Sequence, residues 1–344
     1  MDIKSFIQNK LNLIFEEGKK GAHAYNTFGA VVNENRLAYW LRGKYDHEAN
    51  TLGEGRYEGE EESNVKNAQE KLKAVPGLYE EQDKRARAMA LAFLKHNHEK
   101  GYRGIDKVHV TSKPGQIEAA TGISLTQQEN PSDLIAKFKK VPPKVKHNFV
   151  GLSAKSSRKG KIGFHNGGTE TVGSFLGLDL EGMANQRQNE FADEHGLDRK
   201  KSVREKQLKA DDAKYNYAKA AAQDLHKDIR DKILEGYNKK AETDHEGLRN
   251  HILNTYLKAS DSEEAIPYQR VSGKSLPGKE ATATVEESHD NPVYHALKNA
   301  KKISFAAAGN GYIHVMADGA KQFAIQVKHN NKPMASSIKI NGQP

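Results

Sequence analysis

The sequence predicts an α/β fold in which a small mixed β-sheet core is flanked by helices, interrupted by a helical insertion and followed by a C-terminal β segment. Three observations predict it. An amphipathic helix pattern near residues 76–98 precedes short β-branched runs, the pattern turns helical and heavily charged from Leu176 to Asn254, and strand-like alternation returns after Ile303.

Residues 1–50 open with a helical stretch through Phe6, Leu11, Ile14 and Phe15, then a Gly-punctuated run from Phe28 to Val32. The acidic, Gly-rich stretch from Asn50 to Asn64 reads as a linker. From Pro76 or Gly77 to His98, Leu78, Gln82, Ala86, Met89, Ala90, Phe93 and Leu94 share one side of a long helix, whose first turn is acidic through Glu80, Glu81 and Asp83. Ile105–Val110 reads as a strand, and Ser112 with Pro114 opens a short helix, Gln116–Thr121, that Gly122 stops.

The turn residues Asn130-Pro131-Ser132-Asp133 introduce a strand from Leu134 to Phe138. After Pro142 and Pro143, strands at Asn148–Ser156 and Lys161–His165 flank a basic turn, so three consecutive strands are expected to form a meander. The polar stretch Ser260–Glu287, with Pro267, Gly273, Pro277 and Gly278, reads as a long loop. A short helix at His295–Ala300 and strands at 303–307, 312–316, 323–328 and 337–340 close the chain, with Asp318-Gly319 as a hairpin turn. The expected organisation is a mixed segment and linker over 1–64, an α/β core over 65–175, a charged helical insertion over 176–258, and a loop with a β-rich segment over 259–344.

Of 344 residues, 54 are Lys or Arg and 45 Asp or Glu, a net charge of +9. Between Leu134 and Thr169 lie nine cations and no acid: Lys137, Lys139, Lys140, Lys144, Lys146, Lys155, Arg158, Lys159 and Lys161. That one window equals the whole net charge, so the rest of the chain is balanced and the window is a local surface for phosphates. DNA is the expected partner.

Cysteine is absent, which removes disulfides, thiolate zinc sites, iron–sulfur clusters and Cys nucleophiles; any metal must be held by oxygen or imidazole. No run approaches the roughly 18 apolar residues of a membrane span, and the opening residues carry no signal-peptide block, so no membrane is expected and the cytoplasm is. Walker, dinucleotide and His-Glu-x-x-His spacings are missing, so neither nucleotide hydrolysis nor hydride transfer is expected.

In Phe149–Lys155 the two-residue period sets Val150, Leu152 and Ala154 on one face and Gly151, Ser153 and Lys155 on the other. An ammonium on a central strand is costly unless it meets a carboxylate, a phosphate or solvent. Asp133 starts the preceding strand, and in an antiparallel pair the start of one strand lies beside the end of the next. Asp133 and Lys155 are therefore expected to converge. They would either hold a divalent ion beside a phosphate, or Asp133 would cap its turn and Lys155 merely pair with it.

The series Asn130-Pro131-Ser132-Asp133, a strand, Gly151-Leu152-Ser153-Ala154-Lys155-Ser156 and Lys161-Ile162-Gly163-Phe164-His165-Asn166 resembles the PD-(D/E)xK nuclease superfamily, in particular phage-encoded endonuclease-like members whose second acidic position is replaced. The resemblance spans roughly Leu78 to Gly168. It implies a restriction-endonuclease-like fold and hydrolysis of DNA phosphodiesters with Mg²⁺ or Mn²⁺ in a bacterial host. By that resemblance Asp133 is the principal metal ligand, and Lys155 orients the attacking water and offsets developing charge. Ser153 falls where the family has Glu, Asp or Gln. A hydroxyl is a poor ligand for a hard cation, so a second carboxylate is expected from the long helix, Glu81 first and Glu80 second, with Glu118 a weaker candidate. Lys137, Lys139, Lys140, Ser156, Arg158, Lys159, Lys161, His165 and Asn166 would line the DNA.

Two rival constellations carry less. His96-Asn97-His98 lies in a helix without a ββα surround, and Asp318 with Gln326 and Lys328 is explained by the Asp-Gly turn. The charged helices from Met183 to Lys240 would clamp DNA, join a homodimer or act as a solvated spacer. The alternatives to a nuclease are a non-catalytic DNA-binding or virion-associated protein that kept the shape after losing its acid, and an assembly protein whose basic hairpin binds an acidic partner. Salt separates them. With at most nine window cations on phosphates, the log–log slope of duplex affinity against salt is expected to be no steeper than about −8, measured by titration at graded ionic strength; a flat response favours the assembly protein.

Overall fold

The computed structural model describes residues 28–57, 63–111, 115–124, 130–143, 145–156, 164–259, 266–275 and 280–344. The expected opening helix through Phe6–Phe15, the Ser112–Pro114 helix start and the basic turn 157–160 lie outside these residues. The chain divides into two compact units, residues 1–162 with 261–287 and residues 163–260 with 288–344. Among the described residues no helix is long and apolar enough to cross a membrane.

The first unit is a mixed α/β structure. Helix α1 covers 28–41, followed by the small hairpin β1 (Tyr45–Asp46) and β2 (Thr51–Leu52), then α2 (Ser63–Lys73) and α3 (Leu78–Glu99). Next come β3 (Arg103–Val110), α4 (Gln116–Thr121), β4 (Leu134–Lys140) and β5 (Phe149–Ser156), and much later β6 (Tyr268–Lys274) and β7 (Thr282–Glu287). The five long strands form one sheet in the order β3-β4-β5-β6-β7. All pairs are antiparallel except β5 with β6, which is parallel. A parallel neighbour needs a long crossover, and residues 157–267 supply it.

Helix α3 forms where its apolar stripe predicts: Gly77, at φ 78°, turns the chain into the helix, and Leu78, Gln82, Ala86, Met89, Ala90, Phe93 and Leu94 are all buried. Ala86, Met89, Ala90, Phe93 and Leu94 pack with Leu37, Ala38 and Leu41 of α1 against Leu134, Ala136, Phe138, Val150, Leu152 and Val271 of the sheet, while Leu78 packs with Val32, Ala68 and Leu72. Each fully buried Leu, Val, Phe or Met among them stabilises the fold by about 1.5–3 kcal/mol. The opposite face is thinner, with Ile117 of α4 against Ile135 and Ile266. This second face of β4 and β5 also carries Asp133, Ser153 and Lys155.

Two expectations are corrected. The meander does not continue past β5: Phe164 and His165 are not in a strand, residues 161–163 lie outside the described set, and β5's other neighbour is β6. The stretch 260–287, read as a loop, contributes β6 and β7. Its apolar alternation is hidden because the core-facing positions of β6 around Val271 are Gln269 and Gly273. Gly273 is required there by the closeness of α3, since a Cβ would lie 2.5 Å from Arg85 Cγ and 2.6 Å from Met89 Sδ.

The second unit contains α5 (Thr169–Leu176), α6 (Leu180–Glu194), α7 (Lys201–Lys209), the 32-residue α8 (Asp212–Thr243) and α9 (His245–Ile252), which runs into a π-turn, Leu253–Leu257. Asp179, Asp211 and Asp244 cap α6, α8 and α9, each accepting a backbone N–H from the first turn. After α10 (Pro292–Asn299), β8 (Ile303–Ala308), β9 (Tyr312–Ala317), β10 (Ala320–His329) and β11 (Ile338–Gln343) form an antiparallel sheet in the order β11-β10-β9-β8. Ile229, Ile233 and Tyr237 of α8 share a core with Phe305, Ile313, Val315 and Phe323. Asp318 and Gly319, at φ 49° and 84°, make the β9–β10 turn, and the Asp318 carboxylate accepts the Lys301 and Lys302 amides at 3.2 and 2.8 Å. That turn role accounts for Asp318 in full.

The end of α3 is tied to β6 and β7 by a buried polar network. Asn97 and Gln269 exchange two side-chain hydrogen bonds, and Gln269 Nε2 donates to Glu287 at 2.8 Å. Lys100 Nζ lies 2.6 Å from the other oxygen of Glu287 and His96 3.0 Å from the first. Burial pushes the Glu287 carboxyl up, but the hydrogen bonds from His96 and Lys100 outweigh it and hold the group at about 2. Glu287 therefore stabilises the fold fully above its unfolded pKa, near 4.5, and loses that contribution as pH falls from there towards 2. Glu287→Gln is expected to cost up to about 3 kcal/mol at pH 6, a difference that shrinks towards zero near pH 2 in urea melts.

Candidate active site

Asp133 is presented by a turn held by several hydrogen bonds. Asn130 Nδ2 donates to the Ile266 carbonyl at 3.3 Å, the Ser132 hydroxyl bonds to Asn130 Oδ1, and Thr111 Oγ1 donates to the Ser132 carbonyl at 2.8 Å. The Asp133 amide donates to Leu152 O and its carbonyl accepts from Thr111 N, both at 3.0 Å. Asn130, Ser132 and Thr111 are all buried. The turn sits against Gly151 of β5, where a Cβ would collide with Ser132 Oγ and lie 3.0 Å from Asn130 Oδ1. Only glycine permits this approach.

Register does the rest. Leu134 pairs with Leu152, so Asp133 reaches the level of Ser153, and its Oδ2 accepts three hydrogen bonds from consecutive residues of β5. The donors are Ser153 Oγ at 3.0 Å, the Ala154 amide at 2.8 Å and Lys155 Nζ at 3.5 Å. Ser153 is buried, whereas the Lys155 side chain is 42% exposed. An ion pair that open stabilises a fold by about 1 kcal/mol or less, so stability alone is a weak reason for a lysine here.

A second carboxylate lies within electrostatic reach of this pair. Glu34 of α1 is partly buried, and burial pushes its carboxyl up to about 7, Asp133 adding to the rise and Lys155 opposing it. Two acids and one lysine thus sense one another at the rim of the sheet. Among the described residues no group of three or more His, Cys, Asp or Glu is placed to hold a metal ion; this site offers two carboxylates.

The other sequence-derived candidates lie elsewhere or are otherwise engaged. Glu81 accepts from Arg85 Nη2 at 2.6 Å and from Ser275 Oγ at 3.2 Å, and Arg85 is fully buried, so Glu81 serves as its counter-ion. Glu80 is exposed on the first turn of α3, and Glu118 is exposed on α4. Lys137 pairs with Asp106 at 3.6 Å, while Lys139 and Lys140 are exposed at the far end of β4, about 20 Å from Asp133 by strand rise. Arg158, Lys159, Lys161 and the side chain of Ser156 lie outside the described residues. His165 and Asn166 belong to the second unit, where Gly342 N donates to the His165 carbonyl and Asn166 Oδ1 accepts from Gly168 N, both at 3.0 Å.

Three neighbours of the site are absent from the sequence reading: Glu34, Tyr268 and Arg270. Tyr268 pairs with Gly151 and Arg270 with Ser153 across the parallel β5–β6 ladder. Burial pushes the Tyr268 phenol up to about 12. A signal for Glu34 did exist: it is an acid among Val31, Val32, Leu37 and Ala38 in a segment with helical spacing. β6 offered none, because its polar composition imitates a loop.

The raised Glu34 carboxyl has a sign that can be tested. Between its unfolded pKa near 4.5 and about 7 the folded protein keeps Glu34 protonated while the unfolded chain ionises, so stability is complete at low pH and is lost as pH rises through this window. Glu34→Gln is expected to match the parent near pH 4 and to exceed it by up to about 3 kcal/mol at pH 8, read from denaturant midpoints without divalent ions.

No protein-family model matches the sequence, and no curated protein matches it. Among solved structures, the restriction endonuclease MspI in complex with its cognate DNA matches at 13% identity over 80% of this chain and 83% of that one, with a TM-score of 0.28. A score that low assigns no fold, so any functional reading has to stand on the site itself.

Proposed function

We propose that this chain is a divalent-metal-dependent endonuclease that hydrolyses DNA phosphodiester bonds, with Asp133, Glu34 and Lys155 at its centre. The observation that carries the reading is the pairing of Asp133 with a half-exposed lysine at the end of β5, in whose field a second carboxylate, Glu34, is raised to about 7. Perturbed carboxyls concentrate at functional sites, where a fold tolerates charge that a ligand later neutralises.

The donor set fits the cation. Mg²⁺ is commonly held by one or two carboxylates together with substrate phosphate oxygens, and Asp133 and Glu34 would hold Mg²⁺ or Mn²⁺ in that way. Such an ion supplies positive charge to the phosphate oxygens and acidifies the attacking water. Glu34 would release its proton as the cation replaces it. Asp133, anchored by Ser153 and the Ala154 amide, would keep one orientation throughout. Lys155 would lay its ammonium against the scissile phosphate and offset the charge that gathers on it in the transition state.

Lys139 and Lys140, too far from Asp133 to share its phosphate, would contact the backbone elsewhere and set the register of the DNA without reading sequence. Ser156, Arg158, Lys159 and Lys161, which end or follow β5, would extend that surface. The assignment is tested with supercoiled plasmid. Nicking or linearisation is expected in Mg²⁺ or Mn²⁺ and none in EDTA, with Asp133→Asn, Glu34→Gln and Lys155→Ala each lowering the rate by at least about a hundredfold. Cleavage that survives both the Asp133 and Lys155 changes would remove the assignment, and binding without cleavage in either metal would leave a non-catalytic DNA-binding protein in its place.

A further inference from the structure

The charge balance outside the basic window hides a second local excess. From Lys301 to Pro344 the chain carries six lysines and one acid, Asp318, and both oxygens of that acid are taken by backbone amides. This stretch is the sheet β8–β11 of the second unit. Its alternation is clean. Ile303, Phe305, Ile313, Val315, Ile325 and Val327 are buried in the core shared with α8, so the residues between them form the opposite face.

Register assembles that face. On β9, one of the two inner strands, Tyr312 and His314 stand two residues apart; His314 lies between Ala306 of β8 and Ala324 of β10, and Tyr312 between Ala308 and Gln326. The alanines are too short to cover a ring. Tyr312 is 39% exposed, and Gln326 Nε2 donates to its hydroxyl at 2.5 Å, which holds the ring in place. Next to this row Lys328 pairs directly with Lys339. Ammonium groups opposite one another destabilise a sheet, and among the described residues neither has an ion-pair partner. At the other end Lys321 pairs with Met316, about 23 Å along β10 from Lys328 by strand rise, and Lys321, Lys301 and Lys302 are exposed.

We infer that this face of the second sheet binds single-stranded DNA, with Tyr312 and His314 as a stacking platform and Lys321, Lys328 and Lys339 as phosphate contacts at its two ends. Charge complementarity calls for an anionic polymer, because cations that far apart cannot share one phosphate. Width calls for a single strand. Four strands span about 14 Å from first to last, too wide for a major groove of about 12 Å that admits a helix or a two-stranded ribbon. A flat face with exposed rings suits unstacked bases instead, since every base offers a π-face. The choice of DNA over RNA rests on the proposed DNA substrate; the surface itself needs nothing of the metal site.

The test is fluorescence anisotropy of the full chain with a labelled oligo(dT) of about 15 nucleotides in EDTA at graded salt, with melting curves to show that each variant is folded. Tyr312→Ala is expected to weaken binding at least about fivefold, and Tyr312→Phe to retain the parent affinity. Lys328→Gln combined with Lys339→Gln should flatten the log–log salt slope by about 1.4. Lys239→Gln, exposed on α8, the helix that packs on the opposite face, should leave both quantities at the parent value. Should Tyr312→Ala fail to fold, the lysine pair carries the test alone. Parent-like affinity and slope in these variants, an equal loss in Lys239→Gln, tighter binding of oligo(U) than of oligo(dT), or a duplex that loses as much from Tyr312→Ala overturns the inference. Plasmid cleavage separates it from the nuclease reading. Cleavage together with oligo(dT) affinity that ignores Tyr312 and the lysine pair sinks the surface alone, whereas Tyr312-dependent oligo(dT) binding without cleavage in Mg²⁺ or Mn²⁺ sinks the nuclease and leaves the surface.

Discussion

The first unit depends on one contact, the Asp133 carboxylate against the backbone of β5. Oδ2 takes the Ala154 amide at 2.8 Å, a donor that would otherwise belong to the sheet ladder. A side chain thereby completes the backbone pairing at the end of β4 and locks the register in which Leu134 meets Leu152. A slip of one residue would turn Ser153 and Lys155 into the core and bring Val150, Leu152 and Ala154 out. Register, core and site are thus one constraint. Gly151 belongs to it, because only a residue without a side chain lets the Asn130–Ser132 turn come close enough to deliver the carboxylate.

The two faces of the sheet divide the labour. Towards α1 and α3 the strands present apolar residues and behave as a conventional core. The other face carries a row of polar groups, with Asp133, Ser153, Lys155, Tyr268 and Arg270 gathered where β4, β5 and β6 adjoin. Glu34 reaches their charges from α1, the helix whose Leu37, Ala38 and Leu41 fill the core. Packing of α1 therefore fixes the position of an acid that is itself unfavourable to the fold at neutral pH. The Glu287 network works in the opposite sense: its carboxylate is overcompensated by donors and ties α3 to β6 and β7.

The remainder of the chain lies largely in the crossover that a parallel β5–β6 pair demands, followed by a second sheet. Its helices start at aspartates that cap them, and its hairpin turns on Asp318-Gly319. These are local devices with no sign of chemistry. Asp318, which shares a superficial pattern with Asp133, differs from it physically: its two oxygens are taken by the backbone amides of Lys301 and Lys302, just before β8, whereas Asp133 meets a lysine ammonium.

Local periodicity sufficed for α3, β3, α4, β4 and β5, for the terminal strands and for the meeting of Asp133 with Lys155, because strand alternation and antiparallel geometry are properties of short segments. It failed for β6 and β7. Their inward positions include Gln269, matched to Asn97 from 172 residues away, and Gly273, matched to the closeness of α3, and such partners leave no trace in hydrophobic pattern. It also placed the second carboxylate on α3 at Glu81. The sequence by itself determined an α/β chain with a basic window and an aspartate–lysine pair, since these follow from composition and period. Only the tertiary structure decided that Glu81 answers to Arg85 while Glu34 comes within the field of Asp133 and Lys155, because which helix reaches the rim of a sheet is set by packing across the whole unit.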